Sequence, residues 1–249
     1  MKRYLWIFAV LPFLWSCIAE DRSACPQPRG VSVRMSVCPD PMTAVTHAAD
    51  EEAIRDLNLY LLDADRNVVL HRYQSSPTLR FECLPGDYLL RIAANMGRDT
   101  GDSPAWENLA VTHADDYDML PMAYEGEVSI PSSDETIVLP TVEVQRVVAK
   151  VTYNISVAPD AGDIRLHSVQ PVNLPARAQV FDPGRRAAEY TAGEIVGSSS
   201  QTLTGTFYML PNLQGEVTSI ADQRDKGPAN APADATFLRI RALRGSKVL

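Results

Sequence analysis

The stretch RVVAKVTYNISV, residues 146–157, decides the fold class. Apolar residues occupy every second position from Val147 to Val157, and polar residues from Lys150 to Ser156 occupy the positions between them. A period of two places alternate side chains on opposite faces of an extended chain, which is the pattern of a half-buried β-strand. The sequence therefore predicts one long strand over residues 144–157.

The same period of two recurs along most of the chain. Val31 to Val37 alternate with polar residues, Asp56–Leu61 places its leucines on one face, and Asp63–Asn67 supplies turn residues. Further strands are predicted at residues 68–70, 81–83, 88–95, 137–139, 163–169, 200–210, 216–220 and 236–243. Only residues 106–120 have a pattern compatible with a helix. Many short strands separated by turns favour β-sandwiches over βαβ units, so the predicted fold class is all-β.

The predicted mature length of 233 residues suits one large or two small domains, and the strand pattern favours two tandem β-sandwiches. Residues 30–143 supply about seven predicted strands, which is enough for one sandwich, and the strand at residues 144–157 opens a second set. We predict an N-terminal sandwich over residues 30–143 and a C-terminal sandwich over residues 144–249. The Gly-, Pro- and Ala-rich residues 222–234 are predicted to form a surface loop.

The first residues have the pattern of a bacterial lipoprotein leader. Two cations, Lys2 and Arg3, precede an apolar run from Tyr4 to Trp15 that is shorter than the ~20 residues a spanning helix needs. Leu14-Trp15-Ser16-Cys17 then follows the lipobox order, although Trp15 is bulkier than its strict form. We predict a signal peptide over residues 1–16, cleavage between Ser16 and Cys17, acylation of Cys17, and a polar tether over residues 17–29.

An exported chain has consequences for its other cysteines. Cys25, Cys38 and Cys83 would lie in an oxidising compartment, where at most one disulfide can form among the three. Their spacing does not favour one pair over the others. No Cys-x-x-Cys or neighbouring histidine gives them the spacing of a zinc site.

The charge balance excludes nucleic acid as a partner. The full chain has a net charge of −8, and removal of Lys2 and Arg3 with the leader makes it −10. Such a surface repels phosphate backbones, and no cluster of Lys or Arg interrupts it. The apolar content of 45% argues for a packed domain rather than a disordered chain.

The sequence contains no constellation of catalytic or cofactor-binding residues. His47, His71, His113 and His167 lie in separate segments, and neither HExxH nor Gly-x-Ser-x-Gly occurs. Residues 113–118 are acidic but lack the glycine and distal glutamate of a calcium loop, so a solvated loop is predicted there. We therefore predict no enzyme activity, no cofactor and no metal. Five aromatic residues could form a sugar-stacking platform, although aromatic residues in strands more often serve packing: Tyr60, Tyr73, Tyr88, Trp106 and Tyr124.

Several motifs, in this order and spacing, carry a resemblance to a known family. They are the lipobox with Cys25-Pro26 after it, Asp56–Asp63, Leu84-Pro85-Gly86-Asp87-Tyr88 running into Ile92–Asn95, Met122, Arg146–Val151, and Phe207–Asn212. Together they resemble the FimB-type fimbrial anchoring subunits of Bacteroidia, relatives of the fimbrillins. One departure is that the family continues with further C-terminal strands beyond the position of residues 236–243, so the second sandwich is expected to be incomplete.

The resemblance implies a structural role at the cell surface. It implies two transthyretin-like β-sandwiches on a lipid-anchored outer-membrane protein, which attaches a fimbrial stalk to the cell and joins pilin subunits by β-strand complementation. Two alternatives stay open at this point. One is a tip or accessory subunit of the same pilus, and the other is a surface glycan-binding lipoprotein of a nutrient-uptake system.

Overall fold

The structure is a computed structural model and describes residues 29–41, 53–182, 187–214, 220, 222, 225, 227 and 229–249. The all-β prediction is confirmed. The strands of the first half share one sheet and are β1 (Val31–Pro39), β2 (Leu57–Leu62), β3 (Val68–Gln74), β4 (Thr78–Cys83), β5 (Gly86–Ala94), β7 (Met122–Ile130), β8 (Ile137–Val138) and β9 (Val142–Arg146). A short strand outside this sheet, β6 (Ala110–Thr112), lies between β5 and β7 in the chain.

The first sheet runs in the order β3-β2-β5-β7-β9-β1-β4, with β8 parallel to β1. Val33 on β1, Leu59 on β2 and Phe81 on β4 belong to one hydrophobic cluster although their strands lie far apart in this order. The sheet therefore folds over on itself into two layers. Its two layers meet where β7 joins β9 through only two residue pairs, Met122 with Arg146 and Ala123 with Gln145.

The turn after β2 forms as its residues predict. The backbone N–H of Asn67 donates to Oδ1 of Asp63 at 2.8 Å, and Arg66 takes a positive φ of 63° between them. The short polar side chain of Asp63 therefore replaces a backbone acceptor and closes the chain reversal into β3.

A group of buried polar side chains links two of the sequence motifs, the one that begins at Asp56 and the one that ends at Asn95. Asn95 follows β5 at a φ of 58° and is only 4% exposed. Its side-chain amide donates to the carbonyls of Ala53 and Leu120, and its Oδ1 accepts from the N–H of Arg55. Asp56 completes the group, since its carboxylate accepts from the backbone N–H groups of the two residues after Asn95. These bonds satisfy buried groups that would otherwise be costly.

The second half consists of smaller sheets. Its strands are β10 (Ala149–Ser156), β11 (Ile164–Val172), β12 (Leu174–Pro175), β13 (Arg177–Gln179), β14 (Tyr190–Thr191), β15 (Val196–Ser200), β16 (Thr202–Met209), β17 (Phe237–Arg244) and β18 (Lys247–Val248). β10 pairs with β16, and β15-β11-β17-β18 forms a four-stranded sheet. The hydrophobic cluster between them is small, with Tyr153, Leu166, Val169 and Leu203 as its buried members.

The two halves are joined by backbone pairing as well as by the chain. β13 pairs with β6 in three residue positions, centred on Ala178 and Val111. Beside this pair, Val180 and Leu210 from the second half are buried in the hydrophobic cluster of the first. The predicted division at residues 143 and 144 stays a prediction, although β9 spans it and pairs with β1 and β7.

Three details of the secondary-structure prediction were wrong. The expected long strand over residues 144–157 is two strands, because adjacent Val147 and Val148 are both buried, which one regular strand with a single buried face does not allow. Residues 106–120 contain only a 3-10 helix at Trp106–Asn108 and the short β6. β7 was missed because Glu125, Gly126 and Glu127 are poor strand formers. Residues 216–219 of one predicted strand and much of the loop predicted at residues 222–234 lie outside the described residues.

Candidate functional site

The residues predicted to attach the chain to a membrane lie outside the described part of the structure. This holds for Ser16, Cys17, Cys25 and all of the tether except Arg29. Their roles therefore stay predictions. Among the described residues there is no helix with the length and hydropathy that a bilayer crossing needs.

The positions of the described cysteines exclude one of the three possible disulfide pairs, Cys38 with Cys83. Cys38 and Cys83 are both free and half-buried. Cys83 lies opposite Val31 at the start of β1, whereas Cys38 is near its end. At ~3.4 Å per residue the two cysteines are more than ~20 Å apart, well beyond the reach of a disulfide. Any bridge among the three cysteines therefore requires Cys25, and the bridge itself stays a prediction.

Neither described thiol has the surroundings of a reactive cysteine. Burial raises the pKa of Cys83 above its ordinary value. Burial also raises the pKa of Cys38, with Glu143 and Asp40 adding to the effect as nearby negative charges. A raised pKa lowers the thiolate fraction at neutral pH, and the thiolate is the nucleophilic form.

Two of the described histidines, His71 and His113, serve packing and local hydrogen bonding, whereas His167 is exposed on β11. The ring of His71 stacks on Tyr60 at 4.4 Å between centroids, and its two nitrogens approach Asp102 and Asn58. His113 contacts the carbonyl of Tyr208 through Nε2 at 3.1 Å. His47 lies outside the described residues. Across the part of the chain that the structure describes, no three His, Cys, Asp or Glu side chains converge as a metal site requires.

The five aromatic residues do not form one exposed platform. Tyr60 is 0% exposed, packed between His71 and the edge of Trp106. Arg91 lies over Trp106 at 4.4 Å from the ring centroid and pairs with Glu125. Because Tyr60 is enclosed by this group on the outer face of β2 and β5, a sugar cannot stack on its ring.

The second half has strand edges with no partner strand. Among the described strands, β10 and β16 pair only with each other, so each has one edge whose backbone N–H and C=O groups are not used in a ladder. Unpaired edges of this kind are the sites at which another chain can add a strand. β10 places Val151, Tyr153 and Ile155 toward the core and polar residues outward, as the sequence pattern predicted.

An uncovered apolar strip lies on the opposite sheet. Leu238 and Ala242 on β17 pack against the second core, and strand alternation places Ile240 on the same face. Ile240 is nevertheless 47% exposed, whereas its neighbour on β11, Val169, is 0% exposed. Leu249, hydrogen-bonded opposite Ala242, is 49% exposed on this face. We call Leu238, Ile240, Ala242 and Leu249 the Ile240 strip.

The exposure of the Ile240 strip shows where the layer formed by β10 and β16 ends. Val169 on β11 is covered and the adjacent Ile240 on β17 is not, so the layer of β10 and β16 covers β11 more completely than β17. One further strand beside the β10–β16 pair would lie over a layer with uncovered apolar side chains. The sequence pattern does not reveal this strip. Ile240 occupies an inward position in the alternation of β17, as a buried core residue would.

Comparison with solved structures shows what this architecture resembles. The tip fimbrial protein Mfa3 from Porphyromonas gingivalis, solved with a C-terminal truncation, is similar with a TM-score of 0.60 and 16% identity over 89% of this chain and 80% of that chain. A fimbrial assembly protein from Parabacteroides distasonis is similar with a TM-score of 0.54 and 11% identity over 89% and 84%. A candidate cell adhesion protein from Bacteroides eggerthii is similar with a TM-score of 0.58 and 13% identity over 88% and 77%. The chain shares their fold.

Comparison of sequences adds a shorter match. Residues 207–248, which span the end of β16 and all of β17 and β18, match a family described as a domain of unknown function, DUF4906. No curated protein matches the sequence.

Proposed function

We propose that the protein is a structural, non-enzymatic subunit of a surface fimbria, anchored in the outer membrane through acylated Cys17. The observation that carries the proposal is the Ile240 strip beside the unpaired edges of β10 and β16. A strand from a neighbouring subunit would pair with one of these edges and cover the strip. The fold shared with fimbrial proteins, though at low identity, supports the same role.

The physical basis of subunit joining is strand complementation. An added strand gains main-chain hydrogen bonds along a free edge, and its inward side chains bury apolar surface at ~25 cal/mol per Å². In this protein the uncovered surface comes from Ile240 and Leu249, each about half exposed in the isolated chain. The incoming strand would extend the layer of β10 and β16 over this surface.

Deletion of the gene tests the anchoring role. If the protein holds the base of the fimbria, stalk subunits still polymerise, but we expect them mainly in the medium rather than on cells. A tip or accessory position is the second candidate, since one similar structure is described as a tip fimbrial protein. Deletion of a tip subunit would leave the remaining fimbriae attached to cells. Normal amounts of complete, cell-bound fimbriae would contradict both candidates.

Ile240→Lys is expected to abolish subunit joining while leaving the chain folded. The side chain is 47% exposed before assembly, so the substitution disturbs little in the isolated subunit, but it places a charge where the incoming strand must bury apolar side chains. Co-purification of stalk subunits with the variant measures the effect. The matched control is Val138→Lys on β8, where a 72% exposed valine lies away from the strip. Equal recovery of stalk subunits with both variants would contradict the proposed interface.

A further inference from the structure

A cleft lies between β7 and β9. It has a volume of about 650 Å³ and lies where the two layers of the first sandwich separate. Its apolar lining includes Leu90, Val128 and Val142, together with Phe181 from the second half. This volume is in the range of ligand-binding clefts.

The two strands separate early although their directions would allow a longer ladder. They pair at Met122 with Arg146 and at Ala123 with Gln145, and the same register would place Tyr124 opposite Val144 and then Glu125 opposite Glu143. Like charges directly opposite each other destabilise a strand pair. Beyond Ala123, β7 therefore runs to Ile130 with only β5 as a partner among the described strands.

The open edge of β7 carries half-buried residues that alternate with exposed glutamates. Side chains alternate along β7, so Gly126 and Val128 are half-buried while Glu125 and Glu127 are exposed. Glu125 is held by Arg91 at 2.5 Å. In contrast, Glu127 lies beside the apolar Leu89 in the β5 register, and neither it nor Glu143 on β9 has an ion-pair partner among the described residues.

A bound metal ion does not fit this arrangement, because the carboxylates of the described residues do not converge in groups of three. An extended peptide does fit it. Inserted beside β7, such a peptide would use the free main-chain groups of the edge and place every second side chain over the apolar floor. Its outward side chains would lie between Glu127 and Glu143, where lysine or arginine gains opposite-charge cross-strand contacts.

We infer that the β7–β9 cleft binds an extended segment of another protein that alternates basic and small apolar residues. The surface is separate from the edges of β10 and β16, so this inference and the proposed function can fail independently. It also predicts partner selection by charge, since an acidic strand would face Glu127 and Glu143 across the ladder.

The test uses the mature chain and two blocked peptides as long as the open part of β7. One peptide is Thr-Lys-Val-Lys-Val-Lys-Thr, and the other carries glutamate in place of lysine. We expect the lysine peptide to bind in a fluorescence polarisation titration and to slow hydrogen exchange at amides of residues 124–130. The double variant Glu127→Lys/Glu143→Lys should weaken binding about tenfold.

The control separates local recognition from attraction to an acidic protein. Asp65→Lys/Glu82→Lys makes the same change in net charge at exposed positions in the β2–β3 turn and on β4. We expect it to bind the lysine peptide within about twofold of the unchanged protein. Equal weakening by both double variants, equal binding of the glutamate peptide, or exchange protection confined to other strands would each overturn the inference.

Discussion

Cys17→Ser is expected to move the protein from the outer-membrane fraction to the soluble periplasmic fraction, leaving about a tenth or less at the membrane. The reason is that one acyl chain gives only marginal binding, so durable anchoring would depend on the several chains that lipoprotein processing would place on this cysteine. Fractionation of cells followed by immunoblotting measures the distribution. Cys38→Ser is the matched control, because Cys38 lies half-buried on β1 and outside the predicted lipobox.

A second variant guards against retention of an uncleaved leader. Replacing residues 1–17 by a leader that ends in an Ala-x-Ala cleavage site yields a mature chain with neither lipid nor leader. We expect this chain to be soluble as well. If either processed variant stays in the outer membrane in the same amount as the unchanged protein, Cys17 is not the attachment point.

Leu59→Ala is expected to lower the free energy of unfolding by about 2–5 kcal/mol. Leu59 is 0% exposed at the centre of β2, between Arg72 of β3 and Ile92 of β5 in the strand register. Truncation there loses transfer free energy and leaves a cavity in the core shared by both layers of the first sandwich. Urea denaturation followed by tryptophan fluorescence measures the change.

The matched control is the same substitution at an exposed leucine. Leu84 follows β4, is 48% exposed, and can be replaced by alanine with a loss of less than about 0.5 kcal/mol. A loss at Leu59 as small as that at Leu84 would mean that the inward face of β2 is not part of a packed core. A large loss is expected to reduce the surface amount of the protein without changing its membrane attachment.

Several elements follow directly from the sequence. The alternation from Val31 to Val37 forms β1 with its apolar residues buried, and the polar residues after Leu62 form the turn into β3. In β2 the leucines at positions 57, 59 and 61 are buried as predicted, but the opposite face is buried too. That face carries Asn58 and Tyr60, which are covered by a loop whose residues Arg98 and Gly101 accept their hydrogen bonds. Burial of this face by a loop that is distant in sequence leaves no periodic pattern of apolar residues in β2 from which it could be predicted.

The errors have a common cause in long-range packing. β7 is a strand because it pairs along its length with β5, which outweighs the poor strand propensity of Glu125 and Glu127. The break at Val147 arises because its N–H donates to the carbonyl of Pro121 instead of continuing a ladder. Neither partner is adjacent in sequence, so a local pattern does not contain the information.

The candidate sites also differ in whether the sequence or only the folded structure reveals them. Cys17 could be predicted as a lipidation site from sequence because the processing signal is a short, local order of residues that needs no folded context. Tertiary structure alone decided that Ile240 is half exposed while Val169 is covered, and that β7 and β9 separate after two pairs. The amino-acid sequence by itself determined the all-β character, because strand alternation is a local property of period two. Which strand edges stay free depends on how many strands each layer has and where they pair, and only the folded chain determines that.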